Sequence, residues 1–237
     1  MTLVLGLAGP AGCGKDTVAD YLVTRYGYEK FAFSDALYRE VTEAFGLESE
    51  DLLRDRDTKE VPTELLSLIR CSDLDFREVV ERQLSILRTT RGMITLPSGV
   101  MHLSPRQVLQ WWGTEYRRAQ DPDYWVKKSA EWLAAVPRLF SYPEQVPQHF
   151  VNTTVRFPNE RQWIHDRGGN VWHIFRHAAK PVVLHVSETP LEIWLGEREL
   201  YNNSSIERLH YGIDLLMTTS ARFVAVEPEL HKDPTEY

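Results

Sequence analysis

Short apolar runs alternate with helical periodicities near the start of the chain. The run LVLGLA at residues 3–8 predicts a buried strand, and apolar residues at helical spacing follow it over residues 15–27. The same succession recurs, with a strand predicted at residues 28–33 and a helix at residues 34–46. Two consecutive strand-to-helix units favour a parallel sheet covered by helices.

The pattern then becomes amphipathic and helical over about residues 50–140. Its breaks lie near Pro62, over residues 96–105, over residues 121–123 and at Pro137. We interpret this block as a helical insertion on the sheet, bounded at about residues 51–147. The later elements are predicted as a strand at 148–157, a short helix at 158–169, a strand at 170–176, an extended piece at 181–188, a helix at 204–220 and a closing strand at 221–227.

Length and composition indicate one globular domain. The 237 residues are 43% hydrophobic and 26% charged, which suffices for a sizeable core. We expect a single domain over residues 1–237, with its core in about residues 1–50 and 148–227. No apolar run approaches the roughly 20 residues of a membrane span, and no basic leader precedes a cleavage site. A cytoplasmic protein without a membrane partner is therefore expected.

Charge and cysteine content argue against two classes of function. The net charge of −7 disfavours duplex DNA as a bulk electrostatic partner, although it leaves room for a local basic cleft. The two cysteines, Cys13 and Cys71, support neither a disulfide framework nor a cysteine-based zinc site. The eight histidines show no HExxH-type pattern, so we expect no structural metal.

The segment GLAGPAGCGKDTVAD at residues 6–20 has the spacing of a phosphate-binding loop, with Gly9 followed after four residues by Gly14 and Lys15. It stands between a predicted buried strand and a predicted helix. A helix amino terminus offers main-chain N–H groups and the positive end of the helix dipole, and glycines let phosphate oxygens approach closely. Lys15 is expected to bridge the terminal phosphates of a donor nucleotide. The predicted nucleotide-binding residues are Gly9, Ala11, Gly12, Cys13, Gly14, Lys15, Asp16 and Thr17.

The loop also fixes the expected fold class. It predicts an α/β protein of the P-loop NTPase type, a three-layer sandwich with a central, mostly parallel sheet. The helical insertion is expected to form the acceptor or lid region.

Asp16 stands where the common form of this loop has a hydroxyl group that ligates Mg²⁺. A carboxylate close to a triphosphate requires a cation that neutralises it, so Asp16 is predicted to face Mg²⁺ or its waters, with Thr17 assisting. The alternative is that Asp16 only caps the helix and favours its dipole.

Further motifs follow the loop in a consistent order. They are GKDTVAD at 14–20, LQWWGTEYRR and DPDYWV within 109–126, VRFPNE at 155–160, GGNVWHIFR at 168–176 and HVSE at 185–188. With these motifs the chain resembles the deoxynucleoside monophosphate kinases of tailed bacteriophages, a branch of the P-loop nucleoside-monophosphate kinase superfamily. The resemblance implies transfer of the γ-phosphoryl group of ATP to a deoxynucleoside monophosphate, with Mg²⁺, in a cleft between the sheet and the helical region. It also implies the host cytoplasm if a phage encodes the protein, and it leaves a homodimer open.

Arginines matter most for such a reaction, because the reactants must be held in line and the charge on the moving phosphoryl group neutralised. The resemblance implies Arg117 and Arg118 at the acceptor phosphate, although neighbours on one helix cannot both face the cleft equally. It also implies Arg156 and Arg176, at predicted strand ends, near the transferring group. For each the alternative is a solvated or paired charge, and Arg106 is divided evenly between phosphate binding and simple exposure.

The role of Asp35 is open from the sequence. It follows the second predicted strand, from where its carboxylate could contact the acceptor sugar or hydroxyl as a catalytic or acceptor-binding group. The alternative is that Ser34 or Asp35 caps the following helix.

Aromatic and polar residues of the later motifs carry weaker predictions. Trp111, Trp112 and Tyr116 lie at helical spacing and suit either base stacking or, more commonly, a core. His185, Ser187 and Glu188 match a motif of the family, but their spacing alone assigns them no chemistry.

Two departures from the family pattern leave the substrate open. Thr154 stands where the family motif has an aspartate, which shifts metal binding towards Asp16, and the spacing over residues 195–205 is altered, which could reshape the lid. Three functions therefore remain: a mononucleotide kinase, which the acidic composition favours; a kinase that phosphorylates the hydroxymethyl group of a modified pyrimidine within DNA; and a nucleotide-binding regulator without transfer activity.

Overall fold

The computed structural model describes residues 3–91, 102–177 and 190–223. At its centre lies a five-stranded sheet in which every pair of neighbours is parallel, in the order β2-β3-β1-β4-β5. The strands are β1 Leu3–Ala8, β2 Glu29–Phe31, β3 His149–Val155, β4 Asn170–Phe175 and β5 Arg198–Tyr201. The central β1 pairs with β3 on one side and β4 on the other, so three carboxyl ends surround the loop that follows it. Ligands of open parallel sheets collect at such an edge.

Helices cover both faces of the sheet. They are α1 Lys15–Tyr26, α2 Asp35–Phe45, α3 Asp51–Arg54, α4 Leu74–Arg91, α5 Pro105–Gln110, a π-helix Trp111–Arg118 that continues α5, α6 Tyr124–Ala135, α7 Pro158–His165 and α8 Ile206–Phe223. Short 3₁₀ turns at Glu64–Leu66, Leu68–Arg70, Val136–Leu139 and Pro143–Gln145 join them. None of the helices within the described ranges is long and apolar enough to span a membrane.

Alternation along β1 creates two cores. Leu5 and Leu7 face a cluster that includes α1 and α8, whereas Val4 and Ala8 face a larger, aromatic-rich cluster that includes α2, α4 and the π-helix. The predicted α/β class, with helices on both sides of a parallel sheet, is thereby confirmed.

Two predictions for the carboxyl-terminal part were wrong. β5 was not predicted, because only Leu200 of its four residues is buried and the segment lacks a strand-like apolar pattern. The helix α8 continues to Phe223, so residues 221–223 do not begin a closing strand. Residues 224–227 and the extended piece predicted at 181–188 lie outside the described residues.

Candidate nucleotide-binding site

The loop between β1 and α1 is shaped by glycines with positive φ. Gly9, Gly12 and Gly14 have φ values of 142°, 75° and 105°, which side chains rarely adopt. A Cβ on Gly9 would lie 2.5 Å from the Ile174 carbonyl oxygen, and one on Gly14 would lie 2.3 Å from Asn202 Nδ2. The main chain therefore passes close to its neighbours, and it leads into the first turn of α1, whose amides have no acceptor within the helix.

Asn202 supports this loop and was missed by sequence reasoning. Its Nδ2 donates to the Cys13 carbonyl oxygen at 2.9 Å, and its main-chain N–H donates to the Phe175 carbonyl oxygen at 2.7 Å. The residue after β5 thus ties the loop to the end of β4. A polar residue directly after a strand would have been the signal, but β5 itself was not predicted.

Lys15, the first residue of α1, folds back over the loop. Its Nζ donates to the carbonyl oxygens of Gly9 at 2.6 Å and Pro10 at 2.9 Å, and it lies 3.8 Å from Cys13 Sγ. Cys13 is fully buried beneath it. The ammonium group is therefore already within the loop where phosphates are expected.

A cavity of about 700 Å³ opens next to the loop and is strongly basic. Among the described residues, one acidic side chain, Asp16, lines it together with seven basic ones: Lys15, Arg54, Arg56, Lys59, Arg106, Arg156 and Arg176. Arg176, just after β4, has Nη1 3.5 Å from the Gly12 carbonyl oxygen. This local excess of positive charge, in a chain of net charge −7, suits a polyphosphate ligand.

Asp16 and Thr17 both line this cavity. Asp16 Oδ2 accepts a hydrogen bond from Arg56 Nη2 at 2.6 Å. The N-cap position of α1 is Gly14 and carries no side-chain cap, so the capping alternative for Asp16 is not what the structure has. Carboxylate and hydroxyl oxygens are ligands that Mg²⁺ prefers, and Mg²⁺ commonly uses one carboxylate together with substrate phosphates. The two residues therefore fit a Mg²⁺ ion that arrives with a nucleotide. The described residues contain no protein-only metal cluster of three or more His, Cys, Asp or Glu side chains.

A second, smaller cavity of about 150 Å³ lies beside the first. Four aromatic rings line it, those of Phe33, Tyr38, Trp125 and Phe157. Its other lining residues are Ser34, Leu37, Lys59, Arg106, Leu109, Gln110, Gly113, Thr114, Arg118, Thr154, Arg156 and Glu160. A cavity of this size holds one aromatic ring.

The two cavities share part of their lining. Ser34, Tyr38, Lys59, Arg106, Thr154 and Arg156 belong to both. Three of these six are cations, so the junction between the cavities is itself basic. Thr154, in the place where an aspartate was expected, uses Oγ1 to accept a hydrogen bond from the Phe33 amide at 3.0 Å.

Arg118 lines the smaller cavity and is held by a buried carboxylate. Glu160, 2% exposed, accepts a short hydrogen bond from Arg118 and further bonds from the amides of Arg156 at 2.7 Å and Phe157 at 3.1 Å. The Arg118 guanidinium also lies 3.7 Å from the centre of the Phe157 ring. Burial raises the pKa of Glu160, and Arg118 and the two amides oppose that rise. Burial likewise lowers the pKa of Arg118, against the effect of Glu160.

Arg117 points to a different place from its neighbour. Its Nε donates to Glu40 Oε2 at 2.9 Å, and its Nη2 lies 3.9 Å from Asp73. Glu40 also accepts hydrogen bonds from Trp112 Nε1 at 2.9 Å and from the Tyr124 hydroxyl at 2.5 Å. Arg117 thus belongs to a polar network between α2, the π-helix and α6, and of the two arginines only Arg118 lines a cavity.

The three aromatic residues considered for base stacking lie in the core. Trp111, Trp112 and Tyr116 are 8%, 1% and 3% exposed. Tyr116 donates to Asp73 at 2.9 Å, and burial together with this bond raises its pKa to about 12. The core interpretation is therefore the correct one for these residues.

Asp35 and Arg106 have nearby partners. Asp35 Oδ2 accepts a hydrogen bond from the Ala32 amide at 2.7 Å, and Oδ1 lies 3.2 Å from Arg54 Nη2. Ser34 is the N-cap residue of α2 but makes no side-chain cap, so neither predicted cap forms in that way. Arg106 makes a short ion pair with Glu60 while lining both cavities.

Several lining residues were not predicted. Arg54, Arg56 and Lys59 belong to the run RDRDTKE, which is typical of a solvated surface, and Gln110 and Trp125 had no distinguishing pattern. His185, Ser187 and Glu188 lie outside the described residues.

Comparison with known proteins gives one sequence relative and several structures. No protein family model matches the chain. Over 60 residues it is 37% identical to a protein of Acanthamoeba polyphaga mimivirus that is named as a candidate deoxynucleotide monophosphate kinase. That match covers 25% of this chain and 31% of the relative, so it spans about a third of the relative's length.

The structural similarities cover more of the chain at lower identity. A sugar kinase from Janibacter sp. HTCC2649 matches with 13% identity and a TM-score of 0.40, over 96% of this chain and 100% of its own. A Thermus thermophilus protein, TT1252, matches with 14% identity and a TM-score of 0.41, over 92% and 97%. A gluconokinase from Sinorhizobium meliloti 1021 matches with 11% identity and a TM-score of 0.36, over 94% and 98%. These scores are too low to establish a shared fold, and the architecture is defined by this chain's own strand order.

Proposed function

We propose that the protein is a kinase that transfers the γ-phosphoryl group of ATP to a deoxynucleoside monophosphate. The observation that carries this proposal is the pair of adjoining cavities with a shared basic junction. A triphosphate on the loop and a monophosphate at the junction would bring donor and acceptor phosphates together, while the acceptor base occupies the smaller cavity.

The larger cavity supplies the donor site in this proposal. Main-chain amides at the start of α1 bind the triphosphate, and Lys15 neutralises its terminal phosphates. Arg156 and Arg176 follow β3 and β4 and stabilise the charge that spreads over the transferring group. Asp16 and Thr17 hold Mg²⁺, which when bound offsets phosphate charge.

The smaller cavity supplies the acceptor site. Lys59 and Arg106 line the junction and bind the acceptor phosphate, and Arg118 provides a third cation deeper in the cavity. The rings of Phe33 and Trp125 suit stacking on a base, since its volume matches one aromatic ring. We assign Asp35 and Arg117 positioning roles, because each holds a neighbouring element through a local partner.

The partial mimivirus match supports a nucleotide acceptor, because its name specifies a deoxynucleotide monophosphate kinase. The junction also favours an acceptor that already carries a phosphate over a neutral sugar, since two of the three cations there would otherwise have no anionic ligand to recognise.

An acceptor panel tests the proposal. The protein, γ-labelled ATP and Mg²⁺ are incubated separately with the four common deoxynucleoside monophosphates, the matching nucleosides, neutral sugars, and DNA containing a hydroxymethylated pyrimidine. We expect label on at least one monophosphate and none on its nucleoside. Label on the DNA alone would favour the polymer as acceptor, and ATP binding without any transfer would favour a regulator.

A further inference from the structure

An ion pair on the exposed side of the larger cavity joins two distant segments. Asp16 lies in the first turn of α1, and Arg56 follows α3, 40 positions along the chain. Arg56 Nη2 lies 2.6 Å from Asp16 Oδ2, and the two side chains are 76% and 60% exposed. Both residues line the same cavity as the nucleotide loop.

The partner of Arg56 distinguishes it from neighbouring cations. Arg54 pairs with Glu50 and Asp35, Arg106 pairs with Glu60, and Lys59 Nζ lies 3.4 Å from the Tyr38 hydroxyl. These partners lie outside the nucleotide loop and can stay in place when a nucleotide arrives. The partner of Arg56 is the carboxylate that fits Mg²⁺.

A solvated pair of this kind exchanges readily, because exposed ion pairs contribute little to stability. A divalent cation that arrives with a triphosphate competes with Arg56 for the Asp16 carboxylate. The released guanidinium then lies in the cavity beside phosphate oxygens, which it can bind in a bidentate manner.

We propose that Arg56 is a phosphate-binding residue that pairs with Asp16 while the cleft is empty and exchanges that partner for the nucleotide. Because Asp16 then serves the cation, this exchange couples cation binding to nucleotide binding. The inference rests on the proposed function in one respect, namely that the cleft takes a nucleoside triphosphate with Mg²⁺.

Calorimetric binding of a non-hydrolysable ATP analogue tests the exchange without using turnover. The variants are Arg56→Ala, Asp16→Asn and the double variant, measured with Mg²⁺ and with a chelator. Arg70→Ala is the matched control, because it removes an exposed arginine of the same helical region that does not line the cavity. All four substitutions are on exposed side chains, and thermal unfolding checks that each variant is folded.

The exchange predicts a pattern that a simple surface ion pair would not give. Arg56→Ala weakens binding about tenfold in Mg²⁺, the loss expected for one charge-assisted contact to phosphate, while Arg70→Ala binds as the wild type. In chelator, Asp16→Asn binds more tightly than the wild type, because Arg56 no longer has to leave a carboxylate. Arg56→Ala then costs more in the Asp16→Asn background than in the wild type.

Two results would overturn the inference: wild-type affinity of Arg56→Ala in Mg²⁺, or equal cost of Arg56→Ala in both backgrounds in chelator. Lys15→Ala separates this from failure of the proposed function. If Lys15→Ala loses analogue binding while Arg56→Ala does not, only the role of Arg56 is wrong. If the analogue binds Lys15→Ala and wild type alike, the donor site itself is wrong.

Discussion

The two cavities that meet at Arg156 are built by different means. The larger one depends on the main chain of one continuous segment, residues 9–17, where three glycines adopt positive φ and a helix begins. The smaller one is lined by side chains from α2, α5, the π-helix, α6 and the segment after β3. A main-chain site is sensitive to backbone conformation and to its one lysine, whereas a side-chain site is sensitive to the partners that orient each group.

The largest effect is expected from Lys15→Ala. Removal of the ammonium group should lower kcat by about 10³-fold or more, because preorganised charge at the transferring phosphates is lost. Stability should change little, since the Lys15 ammonium is exposed and bonds only within its own loop among the contacts described. Single-turnover transfer and thermal unfolding measure the two quantities.

Lys30→Ala is the matched control for that prediction. Lys30 pairs with Asp20 on the surface, at side-chain exposures of 42% and 64%, and does not line the cavity. It should turn over like the wild type. Normal transfer by Lys15→Ala would show that the loop is not the donor site.

The next effect separates backbone strain from a steric clash within the loop. Gly14→Ala places a Cβ at φ 105° and 2.3 Å from Asn202 Nδ2, whereas Gly12→Ala meets no atom within 4 Å at φ 75°. Strain of this kind costs about 1–3 kcal/mol, so Gly14→Ala should weaken ATP binding by about 10- to 100-fold and Gly12→Ala by clearly less. Equilibrium binding of an ATP analogue measures both, and equal losses would remove Asn202 from the account of the loop.

The acceptor side is tested by two adjacent arginines. Arg118→Lys keeps the charge beside Glu160 but loses the planar guanidinium in the cavity, so the KM for the acceptor should rise about tenfold with little change for ATP. Arg117→Lys, which keeps the charge beside Glu40, should change neither KM. Initial-rate kinetics with each substrate varied will measure this contrast. A larger acceptor effect from Arg117→Lys would mean that the polar network, and not the cavity wall, determines acceptor binding.

The same difference explains which parts could be predicted from sequence. The donor loop is local: Gly9, Gly14 and Lys15 stand at fixed spacing between a strand and a helix, so sequence alone located it. Its one distant support, Asn202, was missed because β5 has a single buried residue.

The acceptor cavity depends on tertiary contacts that no local pattern encodes. Trp112 and Trp125 have similar helical surroundings in the sequence, yet Trp112 is in the core and Trp125 lines the cavity. The contrast between Arg117 and Arg118 is likewise decided by their carboxylate partners, Glu40 and Glu160, each far away in the chain. Spacing predicted that they differ, but not which one faces the cavity.

A buried carboxylate beneath the donor side provides the smallest effect. Glu197, with no exposed side-chain surface, accepts hydrogen bonds from His165 Nε2 at 2.8 Å, His173 Nε2 at 2.7 Å and the Trp194 amide at 2.8 Å. His173 belongs to β4, next to the loop, so this cluster supports the main-chain site through side chains. Burial raises the pKa of Glu197, but the bonds from His165, Trp194 and His173 lower it further, and the net shift is downward.

The sign of the resulting pH dependence follows from that shift. Because the folded pKa lies below the unfolded value of 4.5, the stabilisation from Glu197 is fully present above about pH 4.5 and is lost as pH falls through the folded pKa. Glu197→Gln should therefore lower the free energy of unfolding by about 1 kcal/mol at neutral pH, and its deficit against the wild type should shrink as the solution is acidified. Urea unfolding between neutral and acidic pH measures that difference, with the exposed Glu144→Gln as control. A deficit that stays constant across this range would mean that Glu197 contributes through packing and not through its charge, and that the donor side needs no ionised support beneath β4.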